Sequence, residues 1–384
     1  MTGITLDGSP VARRLKVMTV VGTRPEIIRL SATMRLLDVH TDHVLVHTGQ
    51  NYDYELNEVF FEDLGLRRPD HFLNADPSTL GSALGSIMAA TERVIAQERP
   101  DAFLILGDTN SCLSAIMAKR MHVPVFHMEA GNRSFDQNVP EETNRRIIDH
   151  AADYNLAYTE HARRNLLAEG LHPSRVIVTG SPMAEVLEQA RAGIGTSDVL
   201  ARQGLTPQGY FLVSLHREEN VDYPDRLRQA LDALQGVRAA YGLPVLVSTH
   251  PRTRKRLEGL PGALMQDLVF HPPFGFNDYV KLQIESKAVL SDSGTISEES
   301  SILGFPAVTL RDFIERPEAL DTGSIVTTGL DPQAVLQGLE IVLALPRPKP
   351  PVDYEVADTS VRVVSFIAGT AHSHQRRDGL FTRH

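Results

Sequence analysis

Cysteine is almost absent from this 384-residue sequence, which contains only Cys112. A single thiol cannot form an internal disulfide, so the sequence fits a reducing compartment, and we expect a cytoplasmic protein. No Cys-x-x-Cys pair or cluster of cysteine and histidine indicates a structural metal, and we expect none. With 42% hydrophobic residues, the chain is long enough for two domains that need no covalent cross-links.

Long apolar runs and an excess of basic residues are also missing. No run approaches the ~20 apolar residues that cross a bilayer, and the first residues lack the apolar core of a signal peptide. The formal net charge of −10 argues against nucleic acids and anionic membrane surfaces as partners. We therefore expect no nucleic-acid partner and no membrane insertion. A local basic pocket for a small anion is still compatible with this charge.

The common signatures of tightly held nucleotides are absent as well. The sequence contains no Gly-x-x-x-x-Gly-Lys-Ser/Thr motif, which excludes a P-loop. Its only Gly-x-Gly, at 193–195, follows a helical stretch and not a strand, so it does not indicate a dinucleotide fold. We expect no bound NAD and no other cofactor.

Short apolar runs alternate with amphipathic stretches, a pattern typical of parallel sheets covered by helices. In the first half this pattern predicts strands at 15–21, 44–48, 103–106, 125–128, 155–159 and 176–179, and helices at 25–37, 54–64, 111–119 and 141–150. In the second half it predicts strands at 210–215, 245–249, 268–271, 288–291 and 307–310, and helices at 226–241 and 278–286. The fold class is therefore α/β, with two Rossmann-like, doubly wound domains that face a cleft.

The same pattern suggests domain boundaries. The expected segments are a flexible extension at 1–14, a first domain at 15–182, a second domain at 183–355, a terminal helix at 356–370 and a flexible tail at 371–384. The terminal helix follows a proline-rich stretch at 346–351, which must be extended or turning.

Charged and imidazole side chains follow the predicted strands. Six strand ends carry them, at 22–26, 107–110, 127–131, 216–220, 250–251 and 291–294. Because ligands of such folds bind at the carboxyl ends of parallel strands, these side chains are expected to converge on one cleft. A helix cap or turn explains any single one of these ends, but six together favour a functional site.

Part of this cleft has the features of a phosphate site. Ser293, Gly294 and Thr295 precede a helix-like run, and backbone N–H groups at a helix N-terminus bind phosphate. The signal is weak alone, because these residue types also make good caps. Arg24 and Arg316, with Arg217 as a third candidate, have the guanidinium groups that hold a pyrophosphate in bidentate fashion.

Taken together and in order, the motifs resemble those of the non-hydrolysing UDP-N-acetylglucosamine 2-epimerases. The matching segments are Gly-Thr-Arg-Pro-Glu at 22–26, Gly-Asp-Thr at 107–109, Glu-Ala-Gly at 129–131, Pro-Glu-Glu at 140–142, His-Arg at 216–217, Asp-Ser-Gly at 292–294 and Glu-Arg-Pro-Glu at 315–318. The resemblance spans residues 15–367, nearly the whole chain.

This resemblance implies a glycosyltransferase-B-like fold whose second domain binds UDP. It also implies that the C-terminal helix returns to the first domain. The activity implied is inversion at C2 of a UDP-linked N-acetylhexosamine, by elimination and re-addition of UDP. A cytoplasmic homodimer without a metal, which serves surface-polysaccharide synthesis, is implied as well.

The resemblance also assigns the site residues. The catalytic residues implied are Asp108, Glu129, Glu141 and His216. We expect Asp108 and Glu141 to transfer protons on opposite faces of the ring, Glu129 to stabilise positive charge or tune Glu141, and His216 to help UDP leave. The substrate-binding residues implied are Arg24, Arg29, Arg217, His250, Phe276 (against uracil), Ser293, Gly294 and Thr295 (for phosphate), Glu299 (for ribose) and Arg316.

The sequence departs from the usual family pattern in places that bear on the substrate. Thr295 replaces a second glycine, and Arg29 replaces a lysine, which keeps the charge but changes its shape. The segment 133–141 is shorter than usual and resembles relatives that act on modified UDP-sugars, such as 6-deoxy-L-talosamine or 2,3-diacetamido uronic acid derivatives. Gln-Asn-Tyr-Asp at 50–53 lacks the histidine and arginine usual there, which predicts a weaker dependence on activation by a second UDP-sugar.

Three other functions fit parts of these motifs. A hydrolysing epimerase would release free N-acetylmannosamine, and analysis of the products distinguishes it. A glycosyltransferase of the same fold would need an acceptor site and would leave the catalytic set without a role. A sensor of UDP-sugars would be free to lose the acidic residues, all of which are present.

Overall fold

The computed structural model describes residues 13–49 and 61–374. Its strands form two parallel sheets. The first contains β1 (Lys16–Val21), β2 (Asp42–His47), β3 (His71–Phe72), β4 (Ala102–Leu106), β5 (Val125–Met128), β6 (Tyr154–Ala157) and β7 (Val176–Val178). The second contains β8 (Phe211–Leu215), β9 (Val245–Thr249), β10 (Leu268–His271), β11 (Ala288–Ser291), β12 (Ala307–Thr309) and β13 (Val326–Thr327).

Helices connect the strands in both halves. Those of the first half are α1 (Arg24–His40), α2 (Leu80–Glu98), α3 (Ala115–Arg120), α4 (Pro140–Ala151), α5 (Glu160–Ala168) and α6 (Met183–Thr196). Those of the second half are α7 (Val199–Gln203), α8 (Glu218–Val221), α9 (Pro224–Tyr241), α10 (Pro251–Leu257), α11 (Phe276–Glu285), α12 (Ile296–Leu303), α13 (Pro317–Asp321), α14 (Pro332–Ala344) and α15 (Thr359–Ala371). Within 13–49 and 61–374, no helix has the length and apolar character needed to cross a membrane.

The two sheets have the same strand order over six strands, and the first has one more strand, β7, at its edge. The first is β3-β2-β1-β4-β5-β6-β7 and the second is β10-β9-β8-β11-β12-β13. In each sheet the order reverses between two central strands, β1 and β4 in the first and β8 and β11 in the second. A crevice forms at the carboxyl ends of the strands where such a reversal occurs, so each domain presents one binding crevice.

Both sheets are covered by helices on two faces. The fully buried strand β4 shows why, because Phe103 and Ile105 pack in one apolar cluster while Leu104 and Leu106 pack in another. Side chains alternate between the faces of a strand, so a continuous apolar run requires cover on both sides. The tips of these strands are therefore the natural place for polar functional groups.

The start of α1 fixes the tip of β1 beside the tip of β4. Thr23 is the N-cap residue of α1, and its backbone N–H donates to the side chain of Glu26, as in one half of a capping box. The buried carboxylate of Glu26 accepts the backbone N–H groups of Gly22 at 2.5 Å and Thr23 at 2.8 Å, and the hydroxyl of Thr109 at 2.5 Å. Burial raises the pKa of Glu26. The Gly-Thr-Arg-Pro-Glu motif thus has a structural role in addition to any contact of Arg24 with a ligand.

The chain crosses between the two halves twice. After β7, helix α6 packs on α1, and at the C-terminus α15 packs on α1 as well. Val363 and Ile367 of α15 belong to the apolar core of the first domain. The two crossings touch each other where the backbone N–H of Ser181 donates to the carbonyl of Asp353 at 2.9 Å.

The sequence patterns located most central strands within one or two residues and missed several peripheral elements. The short strands β3 and β13 and the helices α2 and α14 were not predicted. The predicted helix at 111–119 is in fact a 3₁₀ turn, Asn110–Ser114, followed by α3. The predicted helix at 54–64 begins outside the described residues. Most of the predicted extension at 1–14 and of the predicted tail at 371–384 also lies outside them.

Gly131 occupies a position at the tip of β5 that only glycine fits. Its φ is +85°, and a Cβ there would lie 2.3 Å from the carbonyl oxygen of Ala162. We expect Gly131→Ala to destabilise the protein through both effects: roughly 1–2 kcal/mol for the left-handed backbone and about 1–3 kcal/mol more for the overlap. Urea unfolding monitored by circular dichroism measures the change in the free energy of unfolding.

Gly170→Ala is the matched control for this substitution. Gly170 has a φ of +91°, but a Cβ there meets no atom within 4 Å. It should therefore show only the backbone contribution. Equal losses in the two variants would show that the contact with Ala162 is unimportant.

Candidate functional site

Ion pairs join the strand tips of the two domains across one cleft. Four such pairs are Arg316–Glu129 at 2.7 Å, Arg29–Glu298 at 3.5 Å, Arg145–Glu315 at 3.7 Å and Arg217–Glu141 at 3.8 Å. In each pair one partner belongs to the first domain and the other to the second. Two of the four proposed catalytic residues, Glu129 and Glu141, thus take part in pairs that cross the cleft.

Glu129 is a buried carboxylate of the cleft that contacts two arginines. It follows β5 with a φ of +63°, a left-handed conformation unusual for a residue other than glycine. Its side chain contacts the guanidinium groups of Arg29 and Arg316 and accepts a hydrogen bond from the amide of Asn132 at 3.3 Å. Burial alone would raise the pKa of Glu129, but Arg29 and Arg316 outweigh it and lower the pKa to about 2.

Glu298 is a second buried carboxylate between the same two arginines. It lies on α12, receives Arg316 at 3.2 Å, and accepts a hydrogen bond from the hydroxyl of Ser181. Arg29, Glu129, Arg316 and Glu298 form a group that we call the buried charge cluster. All four side chains are at most 8% exposed. The sequence analysis missed Glu298, although the pair of adjacent glutamates at 298–299 was a signal.

Arg29 and Arg316, both expected to bind substrate, are therefore engaged with carboxylates in this structure. Each guanidinium has a Glu129 oxygen and a Glu298 oxygen as partners. Burial lowers the pKa of a guanidinium, but here the carboxylates prevail and raise it. Both arginines remain charged and could shift from a carboxylate to a phosphate.

Asp108, at the tip of β4, is oriented by an arginine that the sequence analysis did not single out. The guanidinium of Arg145, on α4, contacts the Asp108 carboxylate and that of Glu142, the latter at 2.7 Å. Arg145 is 3% exposed, and the surrounding carboxylates raise its pKa despite burial. The signal for Arg145 was its place one turn after Glu141, on the same helical face.

Glu141 lies in the first turn of α4 and has a different environment. Its nearest described cation is Arg217 across the cleft, at 3.8 Å, which is longer than a hydrogen bond. Burial raises the pKa of Glu141 above its ordinary value of 4.5, the negative charge of Asp108 adds to this, and Arg217 opposes it. The two carboxylates thus lie within electrostatic reach of each other but differ in their partners.

His216 is held by Asp292, which is fully buried at the tip of β11. The Asp292 carboxylate accepts the backbone N–H groups of His216 and Arg217, each at 3.0 Å, and approaches Nδ1 of His216 at 3.2 Å. Burial lowers the pKa of His216, and the positive charge of Arg217 adds to this while Asp292 opposes it. The imidazole is therefore mainly neutral at neutral pH.

His250, at the tip of β9, lies beside His216, with ring centroids 6.0 Å apart. It caps α10, its Nδ1 accepting the backbone N–H of Arg252 at 3.3 Å. Burial, and then the neighbouring His216 and Arg24, lower the pKa of His250 to about 4. The expected cleft members Arg24 and His250 are thus close enough to influence each other.

The expected phosphate loop precedes α12. The hydroxyls of Ser293 and Thr295 are 2.9 Å apart, and the backbone N–H of Thr295 donates to Oγ of Ser293 at 3.3 Å. A Cβ on Gly294 would meet the guanidinium of Arg217 at 3.3 Å, so a small residue lets the loop lie against this cation. The loop and Arg217 are therefore positioned to act on one anion.

Glu299, one turn after this loop, and Phe276, at the start of α11, are both buried. The Glu299 carboxylate accepts the amide of Gln283 at 2.6 Å, and burial raises its pKa. Phe276 is only 5% exposed and packs in the apolar core of the first domain, while its backbone N–H donates to Asp63 at 3.2 Å. In this arrangement the ring has a packing role, and stacking on a base would require it to become more accessible.

The buried charge cluster makes a testable contribution to stability. Glu298→Gln removes one of the two carboxylates that neutralise Arg29 and Arg316. Removing one partner from a buried ion pair costs roughly 3–5 kcal/mol, because the remaining charge stays desolvated. We expect the free energy of unfolding in urea to fall by about this amount.

Glu188→Gln provides the control. Glu188 forms an ion pair with Arg191 within α6, and their side chains are 62% and 78% exposed. Exposed pairs contribute about 0–1 kcal/mol. A loss in Glu298→Gln no larger than in Glu188→Gln would contradict the stabilising role of the cluster.

The chain was compared with known proteins. A family profile for UDP-N-acetylglucosamine 2-epimerase matches residues 36–368. A solved structure of a UDP-N-acetylglucosamine 2-epimerase from Rickettsia bellii is 46% identical, with a TM-score of 0.89, and the match covers 95% of this chain and 99% of that one. The UDP-GlcNAc 2-epimerase from Methanocaldococcus jannaschii, solved in complex with UDP-GlcNAc and UDP, is 33% identical with a TM-score of 0.87, covering 93% and 100%.

A relative with a different sugar specificity is also similar. The UDP-2,3-diacetamido-2,3-dideoxy-D-glucuronate 2-epimerase from Pseudomonas aeruginosa is 36% identical over 324 residues, covering 82% of this chain and 88% of that protein. These matches confirm the expected glycosyltransferase-B-like fold and the resemblance inferred from the motifs. The chain belongs to the UDP-N-acetylglucosamine 2-epimerase family.

Proposed function

We propose that this enzyme interconverts UDP-N-acetylglucosamine and its C2 epimer, UDP-N-acetylmannosamine, or a close modified analogue, by eliminating UDP and adding it back. One observation carries this proposal: Asp108 and Glu141 lie within electrostatic reach of each other in the cleft, one paired with Arg145 and the other with a raised pKa. A pair of carboxylates in unlike environments suits the removal and return of a proton.

The chemistry of the substrate explains why both carboxylates and cations are needed. The C2 hydrogen is not acidic, because no carbonyl carbon is adjacent to C2 in the ring. Breaking the C1–O bond first places positive charge at C1, and the C2 proton can then be removed to give UDP and a 2-acetamidoglycal. Return of a proton to the opposite face inverts C2. The cleft must exclude water during this step, since water would capture the intermediate.

The environments of the carboxylates suggest their roles. Glu129, with its pKa of about 2 between Arg29 and Arg316, stays ionised and is suited to stabilising the positive charge at C1 and not to transferring a proton. Glu141 and Asp108 remain as the proton-transfer groups. His216 points Nδ1 at the Asp292 carboxylate, so its neutral form has no second N–H to donate. Its protonated form, which Asp292 stabilises, would donate from Nε2 to the departing UDP.

The cations and the loop before α12 are proposed to hold UDP. Ser293, Gly294 and Thr295 would bind phosphate, with Arg217 and Arg24 nearby. Arg316 and Arg29 would complete the pyrophosphate site after leaving Glu298 or Glu129. The proposed contacts of Glu299 with ribose and of Phe276 with uracil, and the place of His250 beside the phosphates, rest on the family motifs and on the burial described above.

The biological setting is proposed from the family resemblance. We propose a cytoplasmic homodimer that supplies precursors for surface polysaccharides. The segment 50–53, on which the predicted weaker dependence on activation by a second UDP-sugar rests, lies outside the described residues.

Substitution of the two carboxylates tests the proposed reaction. Asp108→Asn and Glu141→Gln should each lower turnover by about 10²–10⁴-fold, the range for lost acid–base catalysis. The measurement is NMR of UDP-GlcNAc in D₂O, in which reversible proton removal places deuterium at C2. UDP affinity, measured by calorimetry, should change little, because neither residue is proposed to bind UDP.

The same spectra distinguish the alternatives. Accumulation of free N-acetylmannosamine and UDP would indicate a hydrolysing epimerase. Turnover like that of the wild type in either variant would remove that residue from the mechanism, and an absence of deuterium at C2 in the wild type would refute the proposed reaction for this substrate.

A further inference from the structure

A cavity of about 270 Å³ has no role in the mechanism above, although some of its lining residues adjoin or contact residues of the proposed site. One wall is the segment before α4, with Asp136 and Asn138, which leads directly into Glu141. Another wall is α8, where Asn220 donates to Asp292, the residue that holds His216. Glu219, which also lines the cavity, is close enough for its negative charge to raise the pKa of Glu141. These three links connect the cavity to the place where a sugar with its C2 between Asp108 and Glu141 would lie.

The charges in this cavity are unfavourable for an anion. Three carboxylates line it, those of Asp136, Glu219 and Asp312. Its two guanidinium groups are already paired. Arg226 binds Asp312 at 2.7 Å, and Arg311 binds Glu315 through two hydrogen bonds of 2.6 and 2.9 Å. An incoming carboxylate would thus meet like charges and no cation that lacks a carboxylate partner.

Two buried polar atoms of the cavity lack hydrogen bonds within the described part of the chain. They are Oε1 of Glu219, an acceptor, and Nε of Arg226, a donor. The ion pair between Oε1 of Glu219 and Arg311 is 3.6 Å long, too long for a hydrogen bond. Unsatisfied buried groups are costly, and a ligand group that both donates and accepts would satisfy these two. Hydroxyl and amide groups do both, whereas a carboxylate only accepts.

The mouth of the cavity carries exposed aromatic side chains. Tyr223 and Phe313 line it and are 61% and 58% exposed, and Phe135, next to Asp136, is 71% exposed with a φ of +56°. Large exposed aromatic side chains close to polar groups are typical of surfaces that contact a ligand. They add apolar surface to the cavity without adding positive charge.

We propose that this cavity is a subsite for the uncharged, hydroxyl- or amide-bearing part of the substrate's sugar, and that Asp136, Glu219 and Asp312 exclude uronate sugars. The inference rests on the proposed function, because it takes the sugar to lie between Asp108 and Glu141. The substrate specificity of this chain would then differ from that of the Pseudomonas relative, which is named for a glucuronate. The substrates of this enzyme would be uncharged UDP-hexosamines.

The test compares two ligands that differ mainly at C6: UDP-N-acetylglucosamine and UDP-N-acetylglucosaminuronate. Their affinities for the full-length protein are measured by calorimetry. The wild type should bind the uronate about tenfold or more less tightly, as expected for juxtaposed like charges. Asp312→Asn leaves Arg226 without its carboxylate partner, so that its guanidinium can pair with the uronate. The ratio of the two affinities should therefore fall at least fivefold or reverse, which is about the effect of one charge-assisted hydrogen bond.

Asp225→Asn is the matched control, because Asp225 pairs with Arg228 on the same α9 helix but does not line the cavity. It should leave the affinity ratio unchanged. Asp136→Asn is a second variant that keeps a side-chain acceptor for the N–H of Asn138 while removing a charge from the cavity. It should also narrow the ratio, and it provides the test if Asp312→Asn does not fold.

The possible outcomes are distinct. The subsite would be overturned if the wild type bound the two ligands with affinities within threefold of each other. It would also be overturned if the folded cavity variants had the same ratio of affinities as Asp225→Asn. C2 deuteration is measured separately. Discrimination between the ligands without deuteration of UDP-GlcNAc would support the subsite and refute the proposed reaction. Deuteration of UDP-GlcNAc at C2 without discrimination between the ligands would support the proposed reaction and overturn the subsite.

Discussion

The buried charge cluster of Arg29, Glu129, Arg316 and Glu298 is the interaction on which the rest of the site depends. Its members come from both domains and are almost completely shielded from water. Four charges in such a place are tolerable only because each has an opposite charge in contact, since an unpaired buried ion is very costly. The cluster therefore keeps the strand tips of the two domains together, and with them the proposed catalytic groups.

The pairings within the cleft also divide the carboxylates by function. Glu129 is surrounded by cations and stays ionised, while Glu141 faces a single, more distant guanidinium and has a raised pKa. The chemical difference between these two glutamates thus comes entirely from their neighbours. Asp108 is oriented by Arg145, which is itself held by Glu142. A proton-transfer site is built in this way from ordinary residue types.

The sequence revealed the central strands and the positions of functional residues better than their contacts. Strands such as β4 are recognisable because they are apolar throughout, and the polar residues that follow them must lie at the sheet edge. Pairings such as Arg29 with Glu298, 269 residues apart, leave no local pattern. For the same reason Arg145 and Glu298 were missed, and Phe276 could not be assigned to packing or to base contact. The two-residue strands β3 and β13 are too short to give a periodic signal.

The course of the chain through α15 has a topological consequence. Strand β1 and helix α15, near the two ends of the described residues, both belong to the first domain, and the second domain lies between two crossings of the chain. Its two connections run side by side, tied by the hydrogen bond between Ser181 and Asp353 and by the close approach of Val356 to Gly180. A domain that is attached through two adjacent chain segments can rotate about the line that joins them, but it cannot easily turn about other axes or translate. Any relative motion of the two domains is therefore restricted mainly to rotation about this line, which would return the same opposing residues to each other.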